Sequence, residues 1–513
     1  MNAATMKKSF LKSPRFHWLL GATIGSGVLL TTLTRRKRNG ENFFDLRSAN
    51  CNESIGAEKT VNKLKNRLSI RSWSQQELNE AITKSKDLIK RIKVETCSPG
   101  IVVCVSVDGE TVWSEGFGYA DVENRVPCTP KTVMRTASIS KPLAMAAVAK
   151  LVEEGKLDLD KPIQHYLPEY PEKMWKDEKV TITTRQLVSH LGGIRHYNKK
   201  YMTEAQDGGS KKEKQKEEAD KNEKKDKNNI KGKQTKVKPT GDSVYKEFLN
   251  KSGCPTITKA LELFKNDPLI KKPGTEFYYT THGWTLISAV VEAASGKEFI
   301  KYMSSIFSDL GLESTQPEYH KTLIYHRARQ YSLNDRGRLE NSPYVDNSCK
   351  WAGGGFISNA PDLVKFGNAM LYSYQYNANH QANCVLPGYL KPETITNVWT
   401  QVDNTKCTWD SEGSYGMGWC VVDYHQQYGS CRLSKNVLSH TGGAVGGSSV
   451  LVVIPSVCSD DVEGKECNHV FRKSLPTGVA VAILVNMESV SLYKTAVKIG
   501  DNFKPFCCNQ ART

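Results

Sequence analysis

Soon after residue 74 the apolar residues fall into a helical rhythm. Leu78, Ala81, Ile82, Leu88, Ile89 and Ile92 lie three, four or seven apart, which predicts an amphipathic helix. Ser74 and Glu77 stand ahead of it in a capping-box arrangement. The pattern then changes. Residues 101–107, rich in Val, and residues 110–119 flank Asp108-Gly109, which predicts a tight hairpin. Near the other end, 448–454 and 478–485 are two more runs rich in Val and Ile, and they read as buried strands. Between these ends the apolar spacing predicts helices over 141–154, 183–190, 283–294 and 361–372. Gly296 is placed to stop the third of them as a C′ glycine, and a last helix begins near Ser491. Strands at both ends and helices in the middle make an α+β pattern rather than an alternating β-α-β one. The expected fold joins the two ends in one antiparallel sheet flanked by helices, with a mainly helical middle region. There is no internal repeat.

Composition alters this picture only at two places. The chain has 513 residues, of which 39% are hydrophobic and 24% charged, so a wholly disordered or fibrous chain is excluded. The net charge of +17 invites a nucleic-acid partner. Its distribution removes that reading. Residues 1–40 carry eight cations and no acid, which accounts for +8. Residues 211–238 carry twelve Lys against six acids, which accounts for +6 and leaves +3 for the rest. In the first segment the stretch 18–33 is apolar or small, and Arg35-Arg36-Lys37-Arg38 follows it at once. It reads as a mitochondrial targeting sequence, and a membrane anchor is the further reading because the cationic flank would stay on one side. A secretory signal peptide is the rival, but the stretch lacks an A-x-A site. Residues 41–74 are taken as a linker and 75–505 as the folded domain. Residues 204–242, nearly free of large apolar side chains, read as a disordered surface loop. No aromatics interleave with its lysines to stack bases, so no nucleic-acid partner is expected. Fourteen cysteines do not make a disulfide-dense scaffold and fit an intracellular place. Neither Cys nor His spacing suggests zinc, and no metal or cofactor is expected.

Candidate chemistry begins at Ser138-Ile139-Ser140-Lys141. Residues three apart share a helix face, so a lysine there can reach the serine hydroxyl and take its proton during attack on an acyl carbon. That requires a lysine kept at least partly neutral. The same spacing recurs at Ser9–Lys12, Ser243–Lys246 and Ser491–Lys494. Only Ser138 heads an apolar helix behind a strand region, and on this motif alone an N-cap serine is the simpler reading. Two more elements shift the balance. One is Pro273-Gly274-Thr275-Glu276-Phe277-Tyr278-Tyr279-Thr280-Thr281-His282-Gly283, a turn into a helix. The other is His440-Thr441-Gly442-Gly443 ahead of a strand.

In order and spacing these elements resemble the serine β-lactamase and penicillin-binding-protein family: Ser-x-x-Lys, Tyr-x-Asn, then Lys/His-Thr-Gly. Three flanking stretches are similar too: Leu187-Val188-Ser189-His190-Leu191-Gly192-Gly193, Trp351-Ala352-Gly353-Gly354-Gly355-Phe356 and Tyr415-Gly416-Met417-Gly418-Trp419. The resemblance spans about residues 75–500. It is closest to the class C branch, and within it to mitochondrial members of animals. It implies a β-lactamase/transpeptidase-like fold with Ser138 as nucleophile and Lys141 as its proton acceptor. Tyr279 would share proton transfer to the leaving group, and His440 would stand for the usual lysine and tune the field near the tyrosine. The N–H groups of Ser138 and Gly443 would form the oxyanion hole, with Thr281 and Thr441 at the substrate. Thr281 departs from the family asparagine, exchanging an amide for one short hydroxyl. The resemblance further implies a peptide substrate and a homo-oligomer or filament. It also implies a place in the mitochondrial intermembrane space, contact with its membranes and a link to lipid metabolism. A structural polymer with a vestigial site, or an esterase of the same fold, remains open.

Overall fold

The computed structural model describes residues 31–38, 41–48, 74–197, 247–376, 387–423, 436–456 and 476–504. The chain divides into two units, Met1–Ser74 and Gln75–Thr513. In the first, strands Thr31–Arg38 and Glu41–Ser48 pair antiparallel, with Thr31 opposite Ser48. They straddle the boundary expected at residue 40. The leader up to residue 30, residues 49–73 of the linker, and the insert at 204–242 lie outside the described residues. Among the described residues no helix is long and apolar enough to cross a membrane.

The second unit is built on an eight-stranded sheet. Its strands are β1 (Gly100–Val107), β2 (Glu110–Asp121), β3 (Val126–Pro127), β4 (Ser414–Tyr415), β5 (Cys420–Val422), β6 (Val437–Ala444), β7 (Gly447–Pro455) and β8 (Gly478–Val485). Their order is β4-β5-β6-β7-β8-β1-β2-β3, and every neighbouring pair is antiparallel. The expected joining of the chain ends is the β8–β1 pair, in register from Val479 opposite Val107 to Val485 opposite Ile101. The hairpin at Asp108-Gly109 forms as its sequence predicts, with both residues at positive φ.

Strands β1, β7 and β8 are buried at every position. Their unbroken apolar runs have that reason: both faces of the sheet are covered. On one face α8 (Ala360–Gln375) lays Gly367 against Leu451, Val453 and Ala480. On the other, α10 (Tyr493–Phe503) lays Gly500 against Ile454 and Val481 and packs beside α1 (Gln75–Glu95). The helical middle packs on the α8 side, where one large apolar cluster runs from Val102 and Leu484 through the helices. It contains α2 (Ser140–Glu153), α4 (Ile257–Leu261), α5 (Thr281–Ser295), α6 (Phe299–Asp309), the short α7 (Trp351–Gly354) and α9 (Pro392–Val398). Helix α2 is apolar nearly all round and is correspondingly buried. Helix α5 ends at Gly296, φ +65°, as its position predicts. The helix expected over 183–190 is the short α3 (Thr184–Val188), capped by Thr183 and Gln186 in a complete capping box.

Among the described residues two disulfides, Cys254–Cys349 and Cys407–Cys420, were not indicated by cysteine spacing. The first closes a span of 95 residues and ties the segment after the insert to the one that enters α7. Replacing both Cys254 and Cys349 with serine is expected to cost about 3 kcal/mol of stability. Urea unfolding of the variant against the oxidised wild type would show it. Equal midpoints and slopes would mean the bridge constrains nothing.

Candidate active site

Ser138 sits in a 3₁₀ turn, Ala137–Ile139, directly before α2. Neither turn nor helix is capped by a serine side chain, so the N-cap reading of Ser138 does not hold. Instead the serine is presented on a strained support. Ala137 has φ +48°, a conformation that L-residues adopt only where their surroundings impose it. The surroundings are visible. The Ser449 hydroxyl donates to the Thr136 carbonyl at 2.7 Å, and the Thr136 hydroxyl donates to the Phe356 carbonyl at 2.8 Å. Gly442 lies across from this turn, where any Cβ would come within 2.5 Å of the Thr136 oxygen. The Thr-Gly-Gly stretch is therefore part of strand β6, and its first glycine lets the nucleophile's turn approach the strand. Beyond Ser439, strand β5 no longer pairs with β6. Thr441 and Gly443 thus line an open cleft with Ser138.

Lys141 projects from the first turn of α2 and is fully buried. Its Nζ donates to the Ser138 hydroxyl at 3.0 Å and to the Gly353 carbonyl at 2.8 Å. It also lies 4.7 Å from the centre of the Tyr279 ring. Burial, and next the Lys350 ammonium, hold this lysine well below its ordinary range. A buried lysine whose partners are a hydroxyl and a carbonyl is a base. The Tyr279 hydroxyl also hydrogen-bonds Ser138, and burial pushes its titration upward, so it stays a protonated phenol. The two neighbours of the serine therefore differ in role: an amine able to accept a proton and a phenol able to give one.

Tyr279 precedes α5, whose N-cap is Thr280. The Thr280 N–H donates to His190 Nδ1 at 3.1 Å, and its hydroxyl donates to the Arg195 carbonyl at 2.6 Å. The His190 ring packs 4.3 Å from that of Tyr279. His440 is buried, with its ring 6.4 Å from Tyr279. Its Nδ1 faces the Thr441 carbonyl at 2.6 Å, and its Nε2 faces the Tyr415 hydroxyl at 2.8 Å. A carbonyl can only accept, so Nδ1 carries the proton and Nε2 accepts from Tyr415. Burial, then Lys141, push this imidazole down to about 3. It is neutral, and both nitrogens are occupied. Where the family pattern has a lysine, this chain has an uncharged ring.

Thr281 is buried at the cleft. Its hydroxyl is engaged by Tyr197, and its N–H donates to His196 Nδ1 at 3.2 Å. Its methyl side presses on Gly353, where a Cβ would fall 2.5 Å from Thr281 Cγ2. The cleft encloses about 370 Å³ and is lined also by His196, Tyr197, Phe248, Lys350 and Trp409. Lys350 is pushed down to about 8 by burial first and Arg135 next, and remains a cation at neutral pH. Among the described residues no cluster of His, Cys, Asp and Glu could hold a metal ion.

The structure thus gathers Ser138, Lys141, Tyr279, Thr281, His440, Thr441 and Gly443 around one cleft. Sequence reasoning missed His190, His196, Lys350, Gly353 and Tyr415. A signal existed for three of them. His190, Gly353 and Tyr415 lie inside the three flanking stretches, and each supplies a buried partner to a motif residue. His196 and Lys350 stand just outside those stretches and had no signal.

Residues 86–494 match the Beta-lactamase family, so fold and site together define a member of the serine β-lactamase-fold hydrolases, and the chain belongs to the beta-lactamase family. It is 50% identical over 450 residues to the mouse (Mus musculus) protein named serine beta-lactamase-like protein LACTB, mitochondrial, covering 83% of this chain and 80% of that one. The human (Homo sapiens) protein of the same name is 51% identical over 442 residues, covering 82% and 80%. Among solved structures, the octameric penicillin-binding protein homologue from Pyrococcus abyssi superposes with a TM-score of 0.56 at 22% identity, over 82% of this chain and 77% of that one. EstCE1, a hydrolase with promiscuous acyltransferase activity, gives 0.59 at 18% identity, over 84% and 99%. At these identities the two structures speak for the β-lactamase/transpeptidase-like fold alone.

Proposed function

We propose that this chain is a mitochondrial serine peptidase that works through an acyl-enzyme on Ser138. The observation that carries the reading is the buried Lys141 amine, 3.0 Å from the Ser138 hydroxyl. Burying a lysine that is not paired with a carboxylate costs stability. A membrane-organising polymer with a vestigial site has no physical use for that cost, and a catalyst does.

The steps follow from the contacts. Ser138 Oγ attacks the acyl carbon while its proton passes to Lys141. The carbonyl oxygen, now negative, is met by the N–H groups of Ser138 and Gly443. As the C–N bond breaks, the Tyr279 hydroxyl protonates the leaving amine and is reprotonated from the Lys141 ammonium. Water then attacks the ester, losing its proton to the same base, and Ser138 Oγ leaves as the hydroxyl. His440 relays no proton in this scheme; it fixes strand β6 beside Tyr279 through Tyr415.

Residence in mitochondria is supported by the acid-free basic leader and by the names of the mouse and human relatives. The intermembrane space is supported by the two disulfides, which need an oxidising compartment. Assembly into oligomers or filaments has a precedent in the octameric neighbour. Membrane contact through the leader and a link to lipid metabolism complete the reading. Digestion of a peptide library, with Ser138→Ala as control and matched esters alongside, tests it. Cleavage of amides by the wild type alone is expected. Turnover of esters with intact peptides would replace the peptidase by an esterase, and no turnover of either would remove the enzyme.

A further inference from the structure

We infer that His196 is a substrate-orienting residue, which holds a carbonyl oxygen of the bound peptide through its Nε2–H. This rests on the hydrolase reading above and deepens it.

The two roots of the charged insert converge at the cleft. Arg195, fully buried, anchors them. Its guanidinium donates to both Glu247 oxygens, at 2.8 and 2.9 Å, to Asp267 at 2.5 Å and to the Leu263 carbonyl at 2.9 Å. The rings of Tyr197 and Phe248, one from each root, lie 5.8 Å apart. Residues 195–197 are therefore set on a rigid base, and His196 is carried on it into the wall of the cleft that holds Ser138 and Tyr279.

The contact that matters is the Thr281 N–H donating to His196 Nδ1 at 3.2 Å. A backbone N–H can only donate, so Nδ1 must carry the lone pair and Nε2 the proton. Burial first, then the charges of His282, Lys141, Lys350 and Arg195, push the ring down to about 3. It therefore stays a neutral donor through the physiological range. Nε2 has no hydrogen-bond partner among the described residues. The ring it belongs to lines the cleft. A single N–H with no acceptor capacity selects an oxygen acceptor.

The sequence around Tyr279 explains why such a donor is required here. Thr281 occupies the place where the family pattern has an asparagine amide, and its hydroxyl is engaged by Tyr197. That hydroxyl is drawn away from a ligand. The same residue's N–H orients His196. The donor has thus moved from the side chain at position 281 to the ring that its backbone holds. Lys350, on the same wall, is a cation and would favour an anion instead; His196 is the neutral donor suited to an amide carbonyl.

A paired comparison tests this. A cleaved peptide is prepared with each backbone carbonyl near the scissile bond replaced in turn by a methylene group. kcat and KM are measured for wild type, His196→Phe, which fills the space without a donor, and His196→Gln, which restores an amide N–H. At one position the wild type is expected to prefer the carbonyl by about tenfold, mainly in KM. His196→Phe should lose that preference, and His196→Gln should regain part of it. A His196→Phe enzyme that still prefers the carbonyl as strongly as wild type overturns the inference. So does a His196→Gln enzyme as indifferent as the Phe variant. Thermal unfolding of each variant checks that it folds. The same peptide pairs are also titrated onto Ser138→Ala variants, with and without His196→Phe, and read as Kd. That arm decides the role of His196 even if the wild type turns out to hydrolyse nothing.

Discussion

Alanine at position 138 is expected to abolish labelling by a fluorophosphonate probe and to lower hydrolysis by about 10⁴-fold or more. The expectation follows from the arrangement of the hydroxyl rather than from the motif. Ser138 Oγ accepts from Lys141 Nζ at 3.0 Å and also meets the Tyr279 hydroxyl. Ala137 behind it is held at φ +48°, so the serine is aimed before any substrate arrives. What survives in Ser138→Ala is the oxyanion hole and the cleft, which alone give limited acceleration. Ser491 heads the same Ser-x-x-Lys spacing but stands exposed, just ahead of α10. Ser491→Ala should label like the wild type. Labelling of Ser138→Ala at the wild-type level would sink the assignment.

The second large effect is expected at Lys141. Arginine there keeps the charge but cannot give up its proton, and methionine keeps the volume but has no base. Both should lower kcat by about 10³-fold or more. In the wild type, activity needs the neutral amine, so it should rise with pH as Lys141 loses its proton. Because the lysine is held well below its ordinary range, that acid limb should lie far below pH 10. Tyr279 titrates upward, so no loss from the phenol is expected until strongly alkaline pH. The same shift has a sign for stability. In the unfolded chain Lys141 binds its proton near pH 10.5 and below; in the native chain it does so only at much lower pH. Between the two values the unfolded state holds the extra proton, and the penalty grows as pH falls, by about 1.4 kcal/mol per unit. Below the native value it is constant. Lys141→Met should therefore raise the melting temperature, and the gain should increase from alkaline to neutral pH. A Met variant no more stable than wild type at any pH would mean that the amine is not buried neutral.

Much of the fold was legible because it depends on local pattern. The hairpin at Asp108-Gly109, the apolar runs of β7 and β8 and the stop at Gly296 each follow from a few adjacent residues. The short strands β4 and β5 had no such signal, since two or three residues hold too little periodicity. Residues 18–30 of the leader's apolar stretch and the charged insert fall outside the described residues, so those two readings stay with the sequence.

At the site the division is the same. Sequence by itself determined that Ser138 and Lys141 share one helical face, that Tyr279 stands at the entrance of a helix, and that glycines follow His440. It could not determine which groups are charged. Lys141 is held well below its ordinary range because the fold buries it beside the Lys350 ammonium, with its Nζ on the Gly353 carbonyl 212 residues away. His440 is neutral because burial and the nearby Lys141 push it down to about 3, and Tyr415 and the Thr441 carbonyl fix its tautomer. His196 carries its proton on Nε2 because a backbone N–H 85 residues away occupies its other nitrogen. Spacing along a chain settles which side chains can meet. Protonation and tautomer depend on burial and on partners brought from distant segments, and only the tertiary structure supplies those.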